Sequence, residues 1–119
     1  MAIQYTDKVV LLNGVTAAST TSDPVDVSLR SQITIQLVAS NIGSGNGSFA
    51  VNGSNDGTNY SPLSFRDGNG TAATTYVTSK VLSSNTSALI FVPAGMRFLE
   101  VVCTRTTDGT YSAIMEAAG

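Results

Sequence analysis

The sequence predicts an all-β fold, an antiparallel β-sandwich or jelly roll of about eight strands. Short runs with apolar residues at every second position recur along the chain, and clusters of Gly, Asn, Asp and Pro separate them. No stretch shows the 3.6-residue apolar period of an amphipathic helix. Short strands joined by regularly spaced turns are typical of sandwiches and jelly rolls.

The length of 119 residues predicts one domain, which we place at residues 8–119, after a polar N-terminal arm at residues 1–7. The arm lacks the positive region followed by an apolar run that marks a signal peptide, so synthesis in a cytoplasm is expected. No apolar run approaches the length of a membrane span, so no membrane partner is expected.

The first half of the domain predicts three strands. Residues 8–14 predict a first strand, an apolar run that ends at an Asn13-Gly14 turn. Apolar and polar residues alternate in residues 25–29, which predicts a half-buried strand. Residues 33–39 alternate most clearly and are placed at the centre of a sheet. The Gly-rich residues 41–47 are predicted to be a flexible connection.

Residues 48–63 predict a hairpin around which the fold is organised. A strand with apolar residues at every second position ends at Asn55-Asp56-Gly57, whose residues accept a positive φ. The apolar signal resumes at Tyr60 and Leu63. Pro62 cannot donate a ladder hydrogen bond, so the returning segment is predicted to lie at a sheet edge.

The last part of the chain predicts four more strands. Residues 72–82 are β-prone with no strongly apolar face, and residues 89–92 are a continuous apolar run of the fully buried kind. Residues 97–105 and 110–116 follow, and the Asp108-Gly109 turn between them predicts a β-hairpin.

The composition is poor in charge. Only 12% of the residues are charged, the net charge is −2, and His is absent. A surface with so little charge is poorly protected against association, which favours assembly, although some Ser/Thr-rich β proteins are simply low in charge. The absence of a basic excess argues against nucleic-acid binding.

The chain lacks the groups that catalysis needs. Without His the usual general base near neutral pH is missing, and the acidic residues are scattered, so no enzyme and no cofactor are predicted. Asp56, Asp67 and Asp108 each precede Gly, where the carboxylate is expected to cap its own turn. No Asp/Asn cluster matches the spacing of a calcium loop, so no metal is predicted. The single Cys103 is predicted to be a buried apolar residue.

The hairpin carries a resemblance to known families. The pattern Phe-x-Val-x-Gly-Ser-x-Asp-Gly-Thr-x-Tyr-x-x-Leu, at residues 49–63, resembles the turn of small β-sandwich virion proteins of tailed phages. It is also similar to the hairpin of discoidin-type carbohydrate-binding modules. Residues 92–105, with the turn and strand that follow, resemble the closing hairpin of both groups. Unlike discoidin-type modules, the chain has no Trp.

The resemblance implies a structural virion protein that decorates or cements a capsid by binding the major capsid protein and neighbouring copies, with a trimer favoured. The alternative is a discoidin-like carbohydrate-binding or adhesion module of a phage head or tail, so a glycan partner stays open. Expected partner-binding residues are Ile3, Tyr5, Asn41, Ile42, Phe98 and Val102. Alternation puts Phe98 and Val102 opposite Leu99 and Val101, so their face is either covered within one subunit or lies at a subunit interface.

Overall fold

The computed structural model describes residues 8–68 and 75–119, which form two antiparallel β-sheets packed as a sandwich, so the predicted all-β fold is confirmed. Within these ranges no helix is long and apolar enough to span a membrane. The strand segments are β1 (Val9–Val15), β2 (Ser19–Thr21), β3 (Val25–Asp26), β4 (Gln32–Ser40), β5 (Asn46–Ser54), β6 (Ser61–Pro62), β7 (Phe65–Asp67), β8 (Tyr76–Val77), β9 (Lys80–Leu82), β10 (Thr86–Val92), β11 (Phe98–Thr106) and β12 (Thr110–Ala118).

Two sheets divide these strands. The first sheet has the order β1-β12-β4-β10-β7-β8, and the second has the order β2-β11-β5-β6, with β3 also paired to β11 and β9 to β5. The central position predicted for residues 33–39 is confirmed, because β4 pairs with both β12 and β10. The edge position of Pro62 is also confirmed, since β6 ends the second sheet.

The core lies between the inner faces of the two sheets. Alternate residues of the long strands point into it, and burying each large apolar side chain contributes about 1.5–3 kcal/mol. The edge-to-face contact of Phe49 with Tyr111, with ring centroids 6.0 Å apart, joins the second sheet to the first. The core side chains that are at most 2% exposed include Val27, Ile33, Ile35, Leu37, Phe49, Val51, Phe65, Ile90, Leu99, Val101, Cys103, Tyr111, Ala113 and Met115.

The number and extent of the strands differ from the prediction. Twelve segments replace about eight in the described ranges, because six of them have only two or three residues, too few to show a period. The strand β2 (Ser19–Thr21) was not predicted. The predicted strand at residues 25–29 shrinks to β3, and Leu29 is 96% exposed with φ 67°, a backbone conformation that ends an extended strand.

One turn and one strand also differ from the prediction. Strand β1 continues past Asn13-Gly14 to Val15, because Gly14, with φ 62°, sits where the register with β12 shifts, as in a β-bulge. Residues 72–82 are not one strand in their described part, since β8 pairs with β7 in the first sheet and β9 pairs with β5 in the second. The chain therefore changes sheets between Val77 and Lys80.

Candidate functional site

The outer face of the first sheet carries apolar side chains that the sequence did not predict to be exposed. Residues 89–92 were predicted to be fully buried, but only Ile90 and Val92 face the core, while Leu89 is 44% exposed and Phe91 is half-buried. The prediction was wrong because β10 lies in a sheet with one covered face, and the period of an all-apolar run does not show which face that is.

Four of these outer residues form a surface that we call the apolar strip: Val10, Val38, Leu89 and Ile114. Val10 pairs with Ile114, and Gln36 lies between Ile114 and Leu89, so three strip members share one row across four strands. Val38 is two residues from Gln36 on the same strand face. Val10 is 49% exposed, and nothing charged belongs to the strip.

A second row crosses the same face nearer the end of β12. Cross-strand pairs align Glu116, Thr34, Phe91, Arg66 and Tyr76 from β12 to β8. The Arg66 guanidinium lies over the Phe91 ring, 5.0 Å from its centroid, and Tyr76 is 64% exposed. The pairing of β7 with β10 and β8 assembles this row, which local sequence signals could not show.

A different cluster closes one end of the sandwich, at residues 41–45. The carboxylate of Asp108 accepts backbone N–H bonds from Gly43, Ser44 and Gly45, at 3.1, 3.2 and 2.9 Å. The Ile42 amide donates to Asn85 Oδ1 at 2.9 Å. The prediction that residues 41–47 are a flexible connection is therefore wrong, because hydrogen bonds within the chain hold residues 42–45 and because residues 46 and 47 belong to β5.

Asp108 also corrects two predictions about the last turn. Its carboxylate caps residues 43–45 rather than its own turn, and the turn joins β11 of the second sheet to β12 of the first, so it is not a hairpin. The pKa of Asp108 is held below its usual value, first of all by the hydrogen bond from the backbone N–H of Ser44. The backbone N–H groups of Gly45 and Gly43 and the positive charge of Arg105 lower the pKa further, while desolvation opposes them by raising it. Gly109 has φ 109°, which only Gly adopts readily.

The Asn55-Asp56-Gly57 turn is confirmed. Gly57 has φ 76°, and Asp56 Oδ1 accepts the backbone amides of Thr58 and Asn59, both at 2.8 Å. These bonds hold the pKa of Asp56 well below its usual value, and the bond from the Asn59 backbone N–H has the largest effect. The Asn55 side chain accepts the amide of Arg97 at 3.0 Å, which ties the hairpin to the start of β11. The carboxylate of Asp56 thus stabilises its own turn, as predicted.

Asp67 forms an ion pair in the described part of the chain, while most of the turn that it was predicted to cap lies outside the described residues. It lies on the inward side of β7, and its Oδ2 is 2.6 Å from Lys80 Nζ, with both side chains largely buried. Lys80 begins β9 in the second sheet, so this ion pair bridges the two sheets. A carboxylate paired in this way holds the edges of the sandwich together.

The four predicted partner-binding residues that the structure describes lie in two pairs at different places on the sandwich. Phe98 and Val102 are half-buried on the outer face of the second sheet, with the Arg97 guanidinium 5.2 Å from the Phe98 ring centroid. Asn41 and Ile42 lie beside the other end of β11, next to the loop that Asp108 caps. Ile3, Tyr5 and the rest of the predicted arm lie outside the described residues.

Groups suited to covalent or metal chemistry are not assembled in the described ranges. No cluster of three or more His, Cys, Asp or Glu side chains occurs there. Cys103 is buried, as predicted, and burial raises the pKa of its thiol to about 11. Among the described residues, the apolar strip and the row that ends at Tyr76 are candidate surfaces for binding a partner.

The fold and these surfaces define a small two-sheet antiparallel β-sandwich with one partly apolar outer face. Its fold is similar to that of the SPBc2 prophage-derived protein YomS, with a TM-score of 0.62 over 98% of both chains and 17% sequence identity. At that identity the likeness concerns the fold alone. No protein-family model and no curated protein matches the chain.

Proposed function

We propose that this chain is a structural virion protein of a tailed phage, which decorates or cements the capsid by binding the major capsid protein and neighbouring copies of itself. It acts by binding and carries out no catalysis. The alternative is an adhesion module of the phage head or tail that binds carbohydrate. The two functions differ in their partner, so binding experiments separate them.

The apolar strip is the observation that carries this proposal. Val10 and Leu89 are each about half exposed, and every residue of the apolar strip is uncharged. The chain as a whole has only 12% charged residues. A contiguous exposed apolar surface marks a site of protein association.

The phage assignment is supported by the hairpin and by the fold. The hairpin at residues 49–63 resembles that of small phage virion sandwiches, and the fold is similar to that of a prophage-derived protein. On a virion, identical copies meet around symmetry axes of the shell, and a closed rotational assembly such as a trimer satisfies that geometry. Copies arranged in this way would cover surface that a lone monomer leaves exposed.

The test compares strip variants with a matched control. Val10→Ser and Leu89→Ser remove apolar surface from the strip, whereas Val81→Ser makes the same change at a side chain that is 50% exposed on the other sheet. Sedimentation of purified protein with undecorated capsids measures binding, and circular dichroism verifies folding. We expect each strip variant to lose at least tenfold in capsid affinity and the control to bind as the original chain does.

Two results would reject the proposal. Strip variants that bind capsids as tightly as the control would remove the role of the strip. A protein that is monomeric by light scattering, does not bind capsids and binds immobilised glycans would favour the adhesion module.

A variant that lacks residues 2–7 tests the predicted contacts of Ile3 and Tyr5. If this variant still decorates capsids fully, the arm has no role in binding.

A further inference from the structure

A cleft opens at one side of the sandwich, between β1 and β12 of the first sheet and β3 of the second. It has a volume of about 270 Å³, and core side chains form its floor, since Val27, Met115 and Ala117 are each at most 3% exposed. The charged residues Asp26 and Arg30 are more exposed and form its rim. We call this depression the lateral cleft; it is lined by Val9, Val25, Asp26, Val27, Arg30, Met115 and Ala117.

Leu29 lies at the rim of the lateral cleft with its side chain in solvent. Val27 and Arg30, on either side of it in the chain, line the cleft, but Leu29 does not line it and is 96% exposed. Its φ of 67° is a left-handed conformation that is unfavourable for a residue with a Cβ. The apolar side chain of Leu29 therefore stabilises the protein only if a partner covers it.

Hydrogen bonds on both sides of Leu29 fix the backbone of its loop. Asp26 Oδ1 accepts the backbone N–H and the hydroxyl of Ser28, at 2.9 and 2.6 Å. The Ser31 amide donates to the Ala118 carbonyl at 2.9 Å, which attaches the loop to the end of β12. A loop that is ordered before binding loses little conformational freedom when a partner arrives, so Leu29 is a preorganised anchor.

We propose that Leu29 of one copy of this chain inserts into the lateral cleft of a second copy, and that the second copy makes the same contact in return. The proposal rests on the proposed function, because it specifies one contact between neighbouring copies. A cavity of about 150 Å³ holds a benzene molecule, so the lateral cleft is large enough for a leucine side chain. Leu29 and the cleft lie side by side, and a two-fold axis that runs between them brings each Leu29 to the cleft of the other copy.

The charges at the rim favour a second copy over other partners. Asp26 and Arg30 have opposite charges, so two copies related by a two-fold axis offer each other both signs. A partner with charges of one sign would meet a like charge at this rim, which disfavours it. Arg97 Nε lies 3.8 Å from Asp26 Oδ2, and both of these side chains are at least half exposed, so the Asp26 carboxylate stays accessible to a second copy.

Leu29→Asn separates this contact from a structural role. Asn tolerates a positive φ better than Leu does, so the variant should melt at the same temperature or higher, although it lacks the apolar anchor. Sedimentation equilibrium of the whole chain up to millimolar concentration measures association. We expect the original chain to associate and Leu29→Asn to associate at least tenfold more weakly. Val81→Ser, a change on β9 outside the cleft, is the control and should associate as the original chain does.

Disulfide cross-linking tests the position of the contact. A mixture of Leu29→Cys with a size-tagged Val25→Cys protein should form a mixed disulfide under mild oxidation, because Val25 lines the cleft. The native Cys103 is buried and should stay reduced. A mixture of Leu29→Cys and size-tagged Val81→Cys is the control, and it should form much less mixed disulfide.

Three results would each overturn the proposal: a monomeric original chain at millimolar concentration, equal association of Leu29→Asn and the original chain, or equal cross-linking of Leu29→Cys to Val25→Cys and Val81→Cys. Docking of Leu29 on the capsid protein instead would give a monomer in solution whose capsid binding falls in Leu29→Asn. Capsid sedimentation of Val10→Ser and Leu89→Ser tests the proposed function separately, because neither of these residues lines the lateral cleft.

Discussion

The Asp108 carboxylate accepts a 2.9 Å hydrogen bond from the backbone amide of Gly45, 63 positions earlier in the chain. The bond joins the loop between β4 and β5 to the loop between β11 and β12, and both loops connect the two sheets. The Tyr111 hydroxyl donates to the Asp108 carbonyl at 3.0 Å and supports the same turn from the core. One end of the sandwich is thus closed by a single carboxylate and a buried phenol.

Asp108→Asn should loosen residues 43–45. An amide side chain has one neutral acceptor oxygen, whereas the carboxylate accepts three N–H groups with two charged oxygens. We expect hydrogen exchange of these three amides, measured by NMR, to accelerate at least tenfold. Asp23→Asn is the matched control, and unchanged protection in the Asp108 variant would contradict the capping role.

The free energy of unfolding should fall in acid. The pKa of Asp56 lies below the usual 3.8, chiefly because its carboxylate accepts the backbone N–H of Asn59. The pKa of Asp108 is also lowered, chiefly by the backbone N–H of Ser44. The unfolded chain then binds these protons at higher pH than the folded chain does. The stabilisation is complete above about pH 4 and is lost as the pH falls through the folded-state values. Calorimetry should show a melting temperature that falls between pH 7 and pH 2, and the fall should be smaller in Asp108→Asn. A melting temperature of the original chain that is the same at pH 7 and at pH 2 would refute this linkage.

Gly57→Val should destabilise the hairpin. Gly57 has φ 76°, where an L-residue costs about 1–2 kcal/mol, and a branched side chain adds crowding against the Phe98 ring, 3.3 Å from the added Cβ. Gly57→Asn should lose less, since Asn tolerates this conformation. Urea unfolding measures both variants. Equal stability of Gly57→Val and the original chain would show that the turn does not need a positive φ.

Cys103 should be inert in the folded protein. It is buried between the sheets, and burial raises the pKa of the thiol to about 11, so very little thiolate exists near pH 8. A thiol reagent such as dithionitrobenzoate should react with it only when the protein is unfolded in guanidinium chloride. Rapid reaction of the native protein at pH 8 would contradict the burial of this side chain.

The sequence by itself determined the fold class and much of the local structure. Alternation in residues 33–39 identified a central strand, Asn55-Asp56-Gly57 identified a turn, and Pro62 identified a sheet edge. Each of these depends on neighbouring residues alone, because side-chain period and backbone preference act within a few positions. The position of Cys103 on the same strand face as Leu99 and Val101 likewise predicted a buried apolar role, and Cys103 is buried.

Only the tertiary structure decided which sheet each strand joins and which apolar residues stay uncovered. The Asp108-Gly109 turn looks like a hairpin turn in sequence, yet it connects two sheets because β11 pairs with β5 and β12 pairs with β4. Leu89 and Ile90 are equally apolar, but only one faces the second sheet. Pairing between distant strands sets both outcomes, and a local pattern gives the period of a strand without naming the partner that covers either face.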